Sequence, residues 1–397
     1  MDKLRIGGKM SRKKKDNWQK EYITQSIEFS SDWNLYNVKE RFEHILSKIE
    51  RIPDRLYKFY APTVENVLDL KFERLWLSDP RNFNDLYDSK LAYDSYEFMM
   101  NESIRVIILQ NDTTIDTNKC FTEEEVYRLK YPYSHKKYEY LFQMSNEIDL
   151  KRRILDDILS CKSESLKVKV DKIKFSIYQK LNSTMDIVEN TSKRVACFAS
   201  FDQYDEFPMI SQMWAHYASN HSGYCLEYDI KSLKEQVKTI CDENIRDSRA
   251  LDVHSKLMLD IIDSVYQVGY SSKRVRLPYR ELKRISKLSR EDLIQDKKLK
   301  GTIMKSFLSK SLVWKYENEW RLVMDKKIAT EFDNKLPFSF LKSLYIGANV
   351  RKDLALDLIR IGESKNINVE VMSVTNGNYE LRGQNANYYR VMNAKRI

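Results

Sequence analysis

Segments with the two-residue period of a β-strand are short and scattered along this chain, and long runs of helical period separate them. Leu56-Tyr57-Lys58-Phe59-Tyr60, Phe72–Leu77, Val195–Ser200, Tyr224–Tyr228, 264–270, Glu319–Met324, Ser343–Ile346 and 368–374 read as strands. From about Leu91 to Glu189 the pattern is helical, with Ile104, Ile107 and Ile108 on one helix and Ile154, Leu155 and Ile158 on another. Further helices are expected from Trp33 to Ile49, from Val64, at 213–218 with Gly223 ending it, at 230–262, 280–312 and 351–363, and an aromatic segment runs to Tyr389. Strands this dispersed predict an α+β fold, with small mixed or antiparallel sheets forming a cleft. No Gly/Pro/Ser linker brackets the helical stretch, so it reads as an insertion at about 91–190 within one domain, 21–397.

Composition closes off other classes. Only 9 Gly and 7 Pro in 397 residues argue against a turn-rich sandwich and against flexible linkers. No apolar run approaches the roughly 18 residues of a membrane span, and the N-terminus has no apolar core of a secretory signal. Five dispersed cysteines without a Cys-x-x-Cys pair predict free thiols in a reducing, cytoplasmic setting, with no metal expected. No phosphate-cradling glycine loop is present, which disfavours a P-loop NTPase or a dinucleotide-fold dehydrogenase.

The net charge of +10 is local. Residues 1–20 carry eight basic and two acidic side chains, and 271–310 carry thirteen basic and four acidic, which leaves the rest of the chain at −5. The first segment reads as a disordered arm. The second either faces a polyanion or is the solvated side of an amphipathic helix, because Leu282, Ile285 and Leu288 recur in it at helical spacing. Nucleic acid is therefore a candidate partner through both segments.

Four constellations could carry chemistry. In a strand, Glu317 and Glu319 would point to one face and could enter one cleft, framed by Trp314, Tyr316 and Trp320; alternatively, Glu319 pairs with Arg321 on a solvated face. Lys58 and Tyr60 share a strand face, where Lys58 could meet a pyrophosphate and Tyr60 stack on a flat ring; a half-buried strand with a solvated lysine is the other reading. Asn84, Asp85 and Asp88 could hold a hydroxyl or a cation, or cap the turn beside them. His216, near Trp214 and Tyr217, could act as a base or sit satisfied at a helix end; its five-residue spacing from His221 does not suit a zinc helix. Cys197 and Cys225 read as small buried hydrophobes.

Four segments carry a family resemblance: Leu56–Tyr60 with Leu75-Trp76-Leu77-Ser78 and Phe83-Asn84-Asp85-Leu86-Tyr87-Asp88; Cys197–Ser200 with Met213-Trp214-Ala215-His216-Tyr217 and Gly223–Tyr228; Trp314–Arg321; and Leu344-Tyr345-Ile346-Gly347. In their order and spacing the chain resembles the bacterial domain-of-unknown-function family 2971, departing from it at Leu86, where that family carries Pro. A second resemblance is to the ADP-ribosyltransferase arrangement, which holds NAD between two small sheets. It would place Lys58 (or Arg55) at the basic position of the first strand, Ser78 or Ser200 at the strand serine, and Glu317 with Glu319 at the late Glu-x-Glu. The Ser-Thr-Ser of the arginine-directed members is missing here.

The two resemblances imply an NAD-consuming enzyme, an ADP-ribosyltransferase or NAD glycohydrolase, of the kind used as a bacterial toxin or anti-phage effector and controlled by a regulatory protein partner or trigger. Glu319, Glu317 and His216 would be catalytic. Lys58, Tyr60, Ser78, Asn84, Asp85, Trp214, Tyr217 and Arg321 would hold NAD. The rival readings are a nucleic-acid-binding sensor module and a metal-dependent nuclease using Asp85, Asp88 and Glu319.

Overall fold

The computed structural model describes residues 18–29, 33, 38–109, 120–134, 136, 146–189, 193–201, 211–247, 251–375, 377 and 381–394. Most of the basic arm expected at 1–20 lies outside the described residues. Its last three residues are ordered, opening helix α1 (Trp18–Ser26). The helix expected from Trp33 begins at Val38 and runs to Ile49 as α2; residues 34–37 lie outside the described ones.

The chain divides into two compact units, one of Met1–Asp88, Ser192–Ser271 and Phe307–Ile397, the other of Ser89–Thr191 and Ser272–Ser306. In the first unit, eight strands form one sheet: β1 (Arg55–Tyr60), β3 (Lys193–Ala199), β4 (Tyr224–Asp229), β5 (Val265–Gln267), β8 (Glu319–Asp325), β10 (Leu341–Ile346), β11 (Asn368–Val374) and β12 (Leu381–Asn385). Their order is β12-β11-β10-β4-β1-β3-β8-β5. Two ribbons stand apart, β2 (Arg74–Trp76) with β9 (Lys335–Pro337), and β6 (Gly269–Ser271) with β7 (Ser309–Ser311). The fold is thus α+β, and its pairing is mixed: β10 and β11 run parallel, joined by the helix Lys352–Ser364, while β1, β3, β4 and β8 pair antiparallel.

The two-residue period gives the large sheet two faces of different character. Leu56, Tyr60, Phe198, Leu226, Tyr228, Leu322, Leu344 and Ile346 point to the main core, covered by α2 and the helices Ile230–Asp247 and Val253–Asp263. Tyr57, Phe59, Ala199 and Cys225 point the other way and pack with Met213 and Trp214. On this second face the register sets Cys197 opposite Arg321 and Ala199 opposite Glu319. β1 pairs with β4 from Arg55 to Tyr60, yet its register with β3 is the one pair Tyr57↔Ala199. The sheet therefore splays between β1 and β3.

The second unit is helical, with Ser95–Leu109, Glu123–Lys130, Glu147–Ser160 and Glu164–Glu189 packed with Tyr279–Ile285 and Arg290–Gln295. Its cores are built from Met100, Ile104, Ile107, Ile154 and Ile158, and from Phe98, Leu181, Leu282 and Ile285. The basic stretch inside it is amphipathic. Arg284 answers Glu281 and Asp296, Lys298 answers Glu281, Lys283 answers Glu102 and Arg276 answers Glu97, while Leu282 and Ile285 are buried.

Candidate functional site

The splay between β1 and β3 opens into a cleft of about 340 Å³, lined among others by Tyr57, Lys58, Phe59, Ser78, Phe83, Asn84, Asp88, Cys197, Tyr217, Lys310, Glu317 and Glu319. All belong to the first unit. The volume lies at the lower end of the range for small-molecule sites, roughly 300–1,000 Å³.

Glu317 and Glu319 converge in this cleft, though not by strand alternation. Glu317 closes the 3-10 helix Leu312–Glu317, and Glu319 opens β8. Asn318 between them adopts the left-handed conformation (φ 42°, ψ 54°), which asparagine tolerates better than most residues. Asn318 Nδ2 donates to the Ser200 carbonyl at 2.8 Å, and its own carbonyl accepts from Ser200 N at 3.1 Å. This kink turns Glu317 toward Glu319. One ammonium joins them: Lys310 Nζ donates to Glu317 Oε2 at 2.6 Å and to Glu319 Oε2 at 2.9 Å. Lys310 comes from the β6–β7 ribbon, whose register partner Tyr270 accepts from Glu319 N at 2.8 Å.

Arg321 lies beneath the pair with none of its surface exposed. Its five N–H groups are all engaged: Nε and Nη2 with Glu319 (2.6 and 3.2 Å), Nη1 and Nη2 with Asp88 (2.8 and 2.6 Å), and Nη1 with the Phe307 carbonyl (2.7 Å). The Glu319–Arg321 pairing is therefore an interior one, not a pair on a solvated face. Arg321 is a fixture that orients Glu319 and Asp88 and has no donor left for a ligand.

The two glutamates differ electrostatically. Burial alone would raise the Glu319 carboxyl, but Arg321 and then Lys310 outweigh it and hold it at about 2, with the Cys197 thiol donating to it as well. Glu317 is raised above its ordinary value, by burial first and also by the charge of Glu319; Lys310 and the Tyr217 hydroxyl, which donates to Oε1 at 2.6 Å, oppose this. Burial lowers the Lys310 ammonium, but Glu319 and Glu317 outweigh it and hold the group above its ordinary value. Carboxyls pushed apart in this way suit two roles, one held anionic and one that takes up a proton more readily than an ordinary carboxylate.

Lys58 is half-buried where the strands part. Its Nζ donates to the Cys197 carbonyl at 3.2 Å and has no carboxylate within ion-pairing distance among the described residues. Burial lowers its pKa, with Cys197 and Glu319 opposing the shift.

Residues 213–322 match the model of the family described as Protein of unknown function (DUF2971). Over that span, a little over a quarter of the chain, the protein is similar to that family. No curated protein and no solved structure matches it. The DUF2971 span supplies Tyr217, Lys310, Glu317, Glu319 and Arg321, whereas Lys58, Ser78, Asn84, Asp88 and Cys197 enter the cleft from the segments before it.

Several residues read from sequence as site residues lie elsewhere. Tyr60 is in the main core, stacked on Tyr224 with its hydroxyl 3.0 Å from that of Tyr228. Trp214 is fully buried, edge-on to Phe59, as a wall of the second core. His216 is exposed on the helix Ser211–Tyr217, beside the Trp314 ring and off the cleft. Asp85 accepts from Tyr87 N at 2.9 Å and closes a turn. Ser78 and Asn84 do line the cleft, and Ser78 bridges Val195 through its backbone (2.8 and 2.9 Å).

Sequence reasoning missed Lys310 and misjudged Cys197. Lys310 was one cation in a basic run. Cys197 sits in an apolar strand, where only the register reveals that its thiol faces Arg321 and Glu319. Among the described residues, no group of His, Cys, Asp and Glu is arranged to hold a metal ion, and no helix is long and apolar enough to cross a membrane.

Proposed function

We propose that this protein consumes NAD by breaking the bond between nicotinamide and ribose. The observation that carries the reading is the Glu317–Glu319 pair, buried in a cleft, joined by one lysine and set to opposite protonation behaviour. Cleaving a glycosidic bond builds positive charge on the sugar, and a fixed carboxylate stabilises it. Glu319 suits that part because Arg321 and Lys310 keep it ionised. Sharing one ammonium keeps the bonded oxygens of the two carboxyls no farther apart than the sum of the two bonds. Glu317, raised and bonded to Tyr217, suits proton exchange with the second substrate.

The remaining lining fits a nicotinamide nucleotide. Lys58 is a cation with donors to offer a diphosphate, and Tyr57, Phe59 and Phe83 offer flat apolar surface to a ring. Such an activity would suit a bacterial toxin or anti-phage effector acting in the cytoplasm under control of a partner protein.

The rival readings draw less support. Arg276, Lys283, Arg284 and Lys298 of the basic stretch answer carboxylates of their own unit, which weakens a nucleic-acid surface there. A nuclease using Asp85, Asp88 and Glu319 would need Asp85 released from its turn and the other two released from Arg321.

The test is nicotinamide release from NAD by the full chain beside Glu319→Gln. Release is expected from the parent, with a loss of about 10²–10³-fold in the variant, as when one charge-stabilising group is removed. Absence of release from both, with and without cell extract as a source of triggers, would refute the proposal.

A further inference from the structure

We propose that the group accepting ADP-ribose is water, so that the protein is an NAD glycohydrolase and not a transferase to protein or nucleic acid. This rests on the NAD reading above and concerns the second substrate at the same site. The groups that would serve an acceptor are seated deep: Glu317 and Glu319 are each 3% exposed and Lys310 is 8% exposed. The Tyr217 hydroxyl, which also lines the cleft, caps Glu317 by donating to Oε1 at 2.6 Å, while Lys310 holds Oε2.

An acceptor must bring its nucleophilic atom to about 3–3.5 Å from the sugar carbon while touching the base that takes its proton. A side chain on a protein, or a base on a nucleic acid, would have to fit its reacting end into the cleft beside the ribose. The cleft is only about 340 Å³, and the nicotinamide–ribose end of NAD must already occupy it. A water molecule, at about 30 Å³, fits beside it. In the step, the C1′–N bond breaks and its electron pair leaves on nicotinamide, whose ring becomes neutral. The water oxygen bonds to C1′, and the proton passes to the Glu317 carboxylate and then to solvent. Glu317 is suited to this because its raised carboxyl exchanges protons closer to neutrality than an ordinary one.

The experiment incubates the full chain with NAD labelled in its adenylate phosphate, in buffer and with bacterial extract providing protein, RNA and DNA. Nicotinamide and labelled products are counted together. The expected result is one free ADP-ribose per nicotinamide in both conditions, with no label on the chain or on any macromolecule. Added methanol should divert part of the product to the methyl riboside, and benzyl alcohol should divert none. Opening the cap by Tyr217→Ala should let the larger alcohol react. Nicotinamide release with label transferred to a macromolecule would overturn the water acceptor while leaving the NAD reading intact. No nicotinamide release would overturn both.

Discussion

Replacing Arg321 by methionine tests whether the site is built on a buried ion cluster. The change keeps much of the side-chain volume and removes five hydrogen bonds, four of them to the carboxylates of Asp88 and Glu319. Lys310, 2.9 Å from Glu319 and 3.8 Å from Asp88, is the cation that stays. Removing one side of a fully buried pair costs about 3–5 kcal/mol, because the charge left behind keeps its desolvation penalty. All six tryptophans lie in the unit that contains the site, so urea unfolding followed by tryptophan emission reports that unit.

The pH dependence gives a second readout. Glu319 is held at about 2 against an ordinary 4.5, so its pairing contributes stability that is present above pH 4.5 and is lost as pH falls toward 2. In Arg321→Met the Glu319 carboxyl protonates earlier, because Arg321 is the main group holding it down. The gap between the two proteins should therefore be widest near neutrality, begin to narrow above pH 4.5 and keep closing below it. Adding Glu319→Gln to the variant should cost less than the sum of the single changes, since both partners are then gone. A loss under about 1 kcal/mol, the worth of an exposed pair, or a gap indifferent to pH would refute the reasoning.

Three further outcomes follow from particular positions. Asn318→Ala should cost about 1–2 kcal/mol from its left-handed backbone, and Asn318→Gly less, because glycine keeps that conformation and loses only the bond to Ser200; equal thermal shifts would instead assign the effect to the side chain. Gly223→Ala would set a Cβ 2.0 Å from the Tyr60 carbonyl oxygen and should sharply lower the midpoint of unfolding, whereas Gly269→Ala, 3.5 Å from its nearest neighbour, should be tolerated. His44, stacked on Tyr22 of α1 at 3.7 Å and bonded to Ser26 at 2.8 Å, is lowered by burial from 6.5 to about 4. The unfolded chain therefore binds its proton first, and stability on the order of 3 kcal/mol is lost as pH falls through that window. Hydrogen exchange of Trp18–Ser26, corrected for its intrinsic rate, should accelerate there, and His44→Gln should flatten the response.

Local pattern determined much of the fold. Alternation in Tyr224–Tyr228, Glu319–Met324 and 368–374 was enough to place β4, β8 and β11, and the Ile104/Ile107 and Ile154/Ile158 spacings placed the helices of the second unit. Segments with no apolar period escaped: β7, written Ser-Lys-Ser, and β9, written Lys-Leu-Pro, are strands only because a neighbour pairs with them. Gly223 looked like a helix terminator. The chain instead turns through positive φ at Ser219, Asn220 and His221, and Gly223 serves a close approach to β1.

The candidate site divides the same way. Sequence by itself marked Glu317, Glu319 and Arg321, because charged residues at close spacing amid aromatics are visible in a line of letters. It did not determine that Glu319 would be ionised and Glu317 raised, since that depends on which cations reach each carboxylate. Lys310, Asp88 and Cys197 arrive from a ribbon, a turn and another strand, through register and ribbon pairing that no local window contains. Tyr60 and Trp214 lie in the core and not in the cleft for the same reason: a strand or helix pattern says which residues share a face, and only the packing of the other elements decides which face is filled and which is left open.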